Sequence, residues 1–274
     1  MNILVVGGDR VDAGKTTFAI GLIEYLDATG FKPRAGNDYW HDYDDFRDAS
    51  QEGRLYGKDA KKIAKVSNAS VTPEEINPIH RLWQPLHTPK NTVLGEPGRE
   101  FLLDRVGQQL VVNENASMPQ EVTDTFNFDS CISVASLQEL ESVVESRYLE
   151  ALNALGTTIR QTSPAVIESY EDIARPIRDI DIDVVAVVES GSIQLFEGER
   201  YQQACSVLHS RGRGLLEKRV GDIIDALDPV ATYQLTPISQ SKRNSPSAIA
   251  NTYQDTFANI QNIADNDSSS QKHS

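Results

Sequence analysis

The residues best suited to chemistry stand near the amino end, in Gly8-Asp9-Arg10-Val11-Asp12-Ala13-Gly14-Lys15-Thr16-Thr17. Two glycines, a lysine and paired hydroxyls in that order suit the binding of nucleotide phosphates. Phosphates are anionic, so the main chain must bend to aim several N–H groups inward. Glycine permits both the bend and the close approach. A helix starting at the lysine adds its unsatisfied N–H groups and the positive end of its dipole. On this reading Gly8, Asp9, Arg10, Asp12, Ala13, Gly14, Lys15, Thr16 and Thr17 line the nucleotide. Lys15 reaches the terminal phosphates, and the Thr16 hydroxyl ligates the Mg²⁺ that bridges them. Five residues separate Gly8 from Gly14, one more than the usual spacing, so Asp9 stands where the first glycine would.

Such a loop needs rigid elements on both sides. Ile3-Leu4-Val5-Val6 is a continuous apolar run closed by Gly7-Gly8, which fits a strand buried on both faces. Phe18, Leu22, Ile23 and Leu26 recur at helical spacing, with Gly30 beyond as a helix end. Phe31 to Ala35 reads as a second strand. Ala165-Val166-Ile167 and Val184 to Val188 are further buried strands. Helical patterns cover about Leu137 to Leu155, Phe196 to Leu208, Asp222 to Leu227 and Ala248 to Ile263, and Ala231 to Leu235 reads as a last strand. Glu100 to Val106 and Leu110 to Asn113 pair as a hairpin around Gly107. The order of elements predicts a doubly wound, mainly parallel α/β domain over residues 1–264, with an inserted segment at about 91–124. A polar, disordered tail is expected over 265–274.

Composition narrows the function classes. The 274 residues carry a net charge of -14, so the basic footprint of a nucleic-acid binder is absent and no nucleic-acid partner is expected. The acid excess reads as a solvated surface. Cys131 and Cys205 lie too far apart in sequence for a disulfide framework or a zinc motif. No apolar run approaches the length of a membrane span and no signal peptide is recognisable, so a cytoplasmic location is expected.

The extra residue in the loop carries a resemblance. Gly8, Asp12, Gly14, Lys15 and Thr16 match the loop spacing of dethiobiotin synthetase and its P-loop relatives, G-T-D-T-[DE]-V-G-K-T. Gly30-Phe31-Lys32-Pro33 resembles that family's G-x-K-P. Lys58-Asp59-Ala60 resembles its N-x-D-A stretch, and Thr72 to Pro78, with Pro85 and Pro89 beyond, its proline-rich segment. The likeness covers about the first 90 residues and returns near Glu168. It implies a P-loop NTPase fold in which Thr16, Asp59 and Glu168 hold Mg²⁺, Lys15 binds phosphate, and Lys32 faces an anionic second substrate. Glu168 also stands on its own: it ends an apolar strand, at the sheet edge where α/β ligands bind, and carboxylate oxygens suit Mg²⁺. The family follows that glutamate with G-A-G-G, whereas Ser169-Tyr170-Glu171-Asp172 follows here, so a substrate other than the dethiobiotin precursor is expected.

Several groups stay open. Asn37 to Asp45, dense in aromatics and carboxylates, follows the second strand and reads as a substrate-contacting loop, a lid or a solvated loop near the same sheet edge. His41, His80 and His87 have no compact ligand spacing. Glu189-Ser190-Gly191-Ser192 ends a strand and is a candidate for the pocket wall, and Thr236-Pro237 for base recognition. Arg10 reads either as a cation for phosphate, acting across a homodimer interface, or as a solvated arginine. The functional expectation is an ATP- and Mg²⁺-dependent enzyme, ligase-like or phosphoryl-transferring, with Lys15 and Lys32 in its chemistry and a small co-substrate. The alternative is a regulatory ATPase whose nucleotide state controls a protein partner or a dimer. A kinase acting on a small hydroxyl is a third, weaker reading.

Overall fold

The computed structural model describes residues 1–8, 14–86, 94–96, 98–209 and 218–270. The chain opens with β1 (Asn2–Gly7), α1 (Lys15–Leu26), β2 (Thr29–Phe31), β3 (Arg34–Asp38), α2 (Tyr43–Ser50), α3 (Lys58–Val66) and α4 (Pro73–Ile76). It continues through β4 (Ile79–Pro85), β5 (Gly95–Glu96), β6 (Arg99–Val106), β7 (Gln109–Asn113), α5 (Gln120–Thr125) and β8 (Ile132–Val134). Next come α6 (Leu137–Val143), a π-helical turn (Val144–Tyr148), α7 (Leu149–Arg160), β9 (Ala165–Glu168), β10 (Val184–Glu189) and β11 (Ser192–Glu197). It closes with α8 (Gly198–His209), α9 (Val220–Ile224), β12 (Ala231–Gln234), α10 (Gln240–Arg243), α11 (Pro246–Thr252) and α12 (Gln254–Ser270).

These elements form a mixed α/β structure divided into two compact units. The first comprises residues 1–33, 62–71 and 156–274, and the second 34–61 and 72–155. No helix among the described residues is long and apolar enough to cross a membrane.

The first unit holds a sheet of order β12-β11-β10-β1-β9-β2. β1 runs parallel to both β9 and β10, and β2 parallel to β9. A strand with neighbours on both edges and layers on both faces has no solvated side, which is why its residues are continuously apolar. Ile3, Val5 and Val6 are fully buried accordingly. α1 buries Phe18, Leu22 and Ile23, and the Phe18 ring packs edge-on against Phe257 of α12.

The chain first passes from one unit to the other after Pro33. The sequence suggests a single strand over Phe31 to Ala35; instead β2 ends at Phe31 and β3 begins at Arg34 in the other sheet. Pro33 has no N–H to give a ladder, so it interrupts the run. Gly30 is not a helix end but the middle of β2; Asp27, at φ 50, closes α1 instead. Phe196 starts no helix. It belongs to β11, which pairs antiparallel with β10. The tail reading is corrected as well: α12 runs on past Asp265 to Ser270, carried by buried Phe257, Ile260 and Ala264 and free of glycine or proline. Residues 271–274 lie outside the described residues.

The second unit holds a mixed sheet of order β3-β4-β6-β7-β8, with β5 added on β6. The hairpin expected around Gly107 is β6 and β7, and Gly107 itself sits at φ 59. The segment read as an insertion thus contributes β5, β6 and β7 to this sheet. Its core gathers Phe46, Leu55, Leu82, Leu103, Val122 and Phe126.

Candidate functional site

Glu168 is the last residue of β9 and pairs in register with Val5 of β1. Its side chain therefore stands at the carboxyl edge of a parallel sheet, the edge where α/β folds take ligands. Three residues from separate stretches of sequence meet there. Thr16 Oγ1, in the first turn of α1, donates to Glu168 Oε1 at 2.7 Å. Lys32 Nζ, one residue beyond β2, donates to the same oxygen at 2.8 Å. The ion pair is deeply buried, with side-chain exposures of 5% for Lys32 and 1% for Glu168. The other oxygen, Oε2, is buried with no hydrogen-bond partner among the described residues. A buried carboxylate oxygen without a donor is costly, so such an atom calls for an explanation.

The start of α1 adds a second feature. Gly14 caps it in the left-handed region at φ 87, ψ 8, a conformation that glycine adopts without strain. Among the described residues no side chain caps this helix, and its first turn contains no acidic residue. The positive end of the helix is thus left uncompensated by its own first turn. Lys15 is 8% exposed, and Thr16 and Thr17 are half-buried. On the far side of β1, Gly8 N donates to Val188 O at 3.3 Å. A Cβ on Gly8 would lie 2.7 Å from Glu189 Oε1, so a side chain there would require the Glu189 carboxylate to move. Glu189 also accepts a long hydrogen bond, 3.4 Å, from Ser192 Oγ. β1 leads by way of α1 to β2 on one side, while β10 leads to β11 on the other. Gly8 and Glu189 therefore meet where the strand connections diverge, the usual place for a ligand crevice.

Not every residue singled out by sequence joins this group. Asp9, Arg10, Asp12 and Ala13 lie outside the described residues, as does His87. Asp59 belongs to the second unit, in the first turn of α3. There it raises the pKa of Asp45 as a lesser cause beside burial, with Lys58 opposing the shift and Asp42 adding to it. No group of three or more His, Cys, Asp or Glu side chains placed to share a metal ion occurs among the described residues. Asn37 to Asp45 does not follow a strand of the β1 sheet; it ends β3 and begins α2 in the second unit. Within it, Tyr39 and Tyr43 both donate to Glu121 Oε2, at 3.1 and 2.9 Å, while Trp40 is 72% exposed. His80 is buried in β4 and His41 lies in an exposed turn. Thr236 follows β12, and its carbonyl accepts from the Tyr253 hydroxyl at 2.9 Å.

No protein-family model matches this chain, and no curated protein matches it. The site is therefore read from its own geometry. The donor set fits Mg²⁺: a carboxylate with one oxygen unclaimed and a hydroxyl in contact with the other, both hard oxygen ligands.

A wide cleft of about 950 Å³ lies elsewhere, in the second unit, lined by Arg54, Leu55, Glu74, Arg105 and Phe126 among others. Its two arginines are already engaged. Arg54 is bonded to Glu74 and Glu52, and Arg105 spends its guanidinium on the carbonyls of Leu55, Asn77, Pro78 and Gly107. Burial pushes Arg105 down to about 10. Volume marks this cleft and chemistry does not. Sequence reasoning found Lys15, Thr16, Lys32 and Glu168 but missed that Lys32 and Glu168 bond each other, since the pair is 136 residues apart.

Proposed function

We propose that the chain is a P-loop ATPase that binds Mg-ATP at the Gly8 to Thr17 segment and uses it to activate a small anionic co-substrate by phosphoryl transfer. The supporting observation is the buried group of Thr16, Lys32 and Glu168 at the carboxyl edge of the β1 sheet, with an unclaimed carboxylate oxygen on Glu168 and a helix start whose own first turn holds no acidic residue. Thr16 and Glu168 would hold magnesium, which when bound supplies positive charge to the terminal phosphates. The N–H groups of the first turn of α1 orient those phosphates, and the Lys15 ammonium offsets charge that grows on them as the bond to the leaving oxygen loosens. Glu168 is fixed by β9, and Thr16 by α1, so neither must reorganise during the reaction.

Calorimetry of the full chain with ATP and Mg²⁺ tests this. Magnesium-dependent binding is expected, and Lys15→Ala should weaken it by about 100-fold or more. Absence of any magnesium-dependent binding of a purine triphosphate would overturn the reading.

A second reading, a regulatory ATPase acting on a protein partner or a dimer, has one observation in its favour. The segment after Glu168 closes on itself: Ser169 is fully buried, its N donates to Val5 O at 2.9 Å and its Oγ to Ile173 O at 2.6 Å. It offers no open glycine cradle to a substrate. Phosphate release separates the two readings. An enzyme of the first kind needs a small co-substrate, whereas a regulator hydrolyses slowly alone and responds to protein.

A further inference from the structure

Carboxylates flank β1 on both sides at the carboxyl edge of its sheet. Glu168 closes β9 on one side, and Glu189 closes β10 on the other. We propose that Glu189 accepts hydrogen bonds from the ribose hydroxyls of the bound nucleotide and is the residue that reads its sugar. The inference rests on the Mg-ATP reading above.

Register fixes where the two carboxylates stand. Glu168 pairs with Val5, whereas Val188 pairs with Gly7, so Glu189 follows at the level of Gly8. Glu189 therefore starts about 10 Å further along the strands than Glu168, and two strand spacings, again about 10 Å, to the side. With the metal and the terminal phosphates at Glu168 and Thr16, the sugar lies at the other end of the triphosphate. The Glu168 side is closed, because Ser169 Oγ is spent on Ile173 O. The Glu189 side is open: Ser190 is exposed, and a Cβ on Gly191 would meet nothing within 4 Å.

The chemistry of the group narrows its ligand. Glu189 and Ser192 face each other across the β10–β11 turn, and Ser192 Oγ donates to Glu189 Oε2 at 3.4 Å. That leaves Oε1 to a ligand. Oε1 stands against the bare backbone of Gly8, where the segment that takes the phosphates begins. A carboxylate repels phosphate at such close quarters, so its ligand is a hydrogen-bond donor without negative charge. The vicinal hydroxyls of ribose are two such donors on adjacent carbons, and an ionised carboxylate only accepts. Dinucleotide-binding α/β folds use an acidic side chain on ribose in the same way.

The test is calorimetry of the full chain with Mg²⁺ and ATP, 2′,3′-dideoxy-ATP or tripolyphosphate, for the native protein, Glu189→Gln and Glu189→Ala. The native chain should bind ATP at least about tenfold more tightly than the dideoxy analogue, which lacks both donors to a charged acceptor. In Glu189→Ala that preference should vanish, with ATP weakened relative to tripolyphosphate by the same factor. Glu189→Gln keeps an acceptor oxygen without the charge and should fall between the two. The inference is overturned if the native chain binds ATP and the dideoxy analogue alike, or if Glu189→Ala keeps the preference. It is also overturned if that variant weakens tripolyphosphate as much as ATP, since the carboxylate then acts on the phosphate segment and not on the sugar. The native comparison and Glu189→Gln decide the matter if Glu189→Ala fails to fold. All these results leave the ATPase reading intact, whereas a native chain that binds no magnesium nucleotide at all ends both.

Discussion

Each unit buries an ion pair against its sheet, and the two pairs are built differently. In the second unit Arg81 grips Asp104 with two bonds, Nε to Oδ1 at 2.7 Å and a terminal nitrogen to Oδ2 at 2.6 Å. Tyr148 donates to the same Oδ2. The guanidinium is stacked on Phe101 and Trp83, with centroid distances of 4.6 and 5.0 Å. Burial alone would lower the pKa of Arg81, yet Asp104 and Tyr148 beside it raise it above the ordinary arginine value. Every oxygen of Asp104 is claimed. In the first unit both donors crowd one oxygen of Glu168 and the other oxygen has no partner among the described residues. A carboxylate satisfied on both sides is a fastening; one satisfied on a single side has room for a ligand. Burial of charge by itself does not separate the two, because Asp104 is 0% exposed and Glu168 1%. Satisfaction does.

The contrast can be broken most directly at Asp104. Asp104→Ala should cost about 3 kcal/mol in urea denaturation, because half-buried Arg81 loses its carboxylate and the buried Tyr148 hydroxyl its acceptor. A cost below about 1 kcal/mol would mean that the triad is no fastening. Glu168→Gln also removes the counter-charge of buried Lys32, but its amide oxygen still accepts from Lys32 and Thr16, so it should cost less, about 2–3 kcal/mol. It should nevertheless abolish any magnesium dependence of nucleotide binding, which calorimetry reads directly. A stability loss as large as that of Asp104→Ala would erase the distinction between the two pairs.

Tyr148 sharpens the comparison at about 1 kcal/mol, the usual worth of one hydrogen bond, for Tyr148→Phe. Its pH dependence has a definite sign. Burial, with the Asp104 carboxylate beside it, holds the Tyr148 hydroxyl protonated well above its ordinary pKa of 10.0. A folded pKa above the unfolded one stabilises fully below pH 10 and is lost as pH rises beyond it. Native protein should therefore lose stability more steeply above pH 10 than Tyr148→Phe does. The smallest effect concerns the thiols. Burial pushes Cys205 up to about 11, so at pH 8 iodoacetamide should label half-exposed Cys131 and spare Cys205, read by mass spectrometry.

Much of the first unit was legible in the residues. β1, α1, β9 and β10 announce themselves, since strands buried on both faces are continuous apolar runs and α1 repeats its large residues at helical spacing. Glu168 was legible for the same reason: a carboxylate at the end of such a run lands on the sheet edge. β11 was not, because its short alternating pattern sits directly before α8 and merged with it. The sequence reads as one domain over 1–264 with an insertion at about 91–124, because Pro33 in a sequence does not say which sheet the next strand joins.

The sequence alone determined the local elements: a glycine, a lysine and a hydroxyl at a helix start, and a glutamate closing an apolar strand. These follow from backbone sterics and from short-range periodicity. The tertiary structure decided the partnerships. That Lys32 and Thr16 converge on one oxygen of Glu168, and that Arg81, Asp104 and Tyr148 saturate one another, depends on strand order and on register across more than forty residues in every case but one. Such contacts leave no periodic trace in the chain, because they are set by which elements pack together and not by how the residues follow one another.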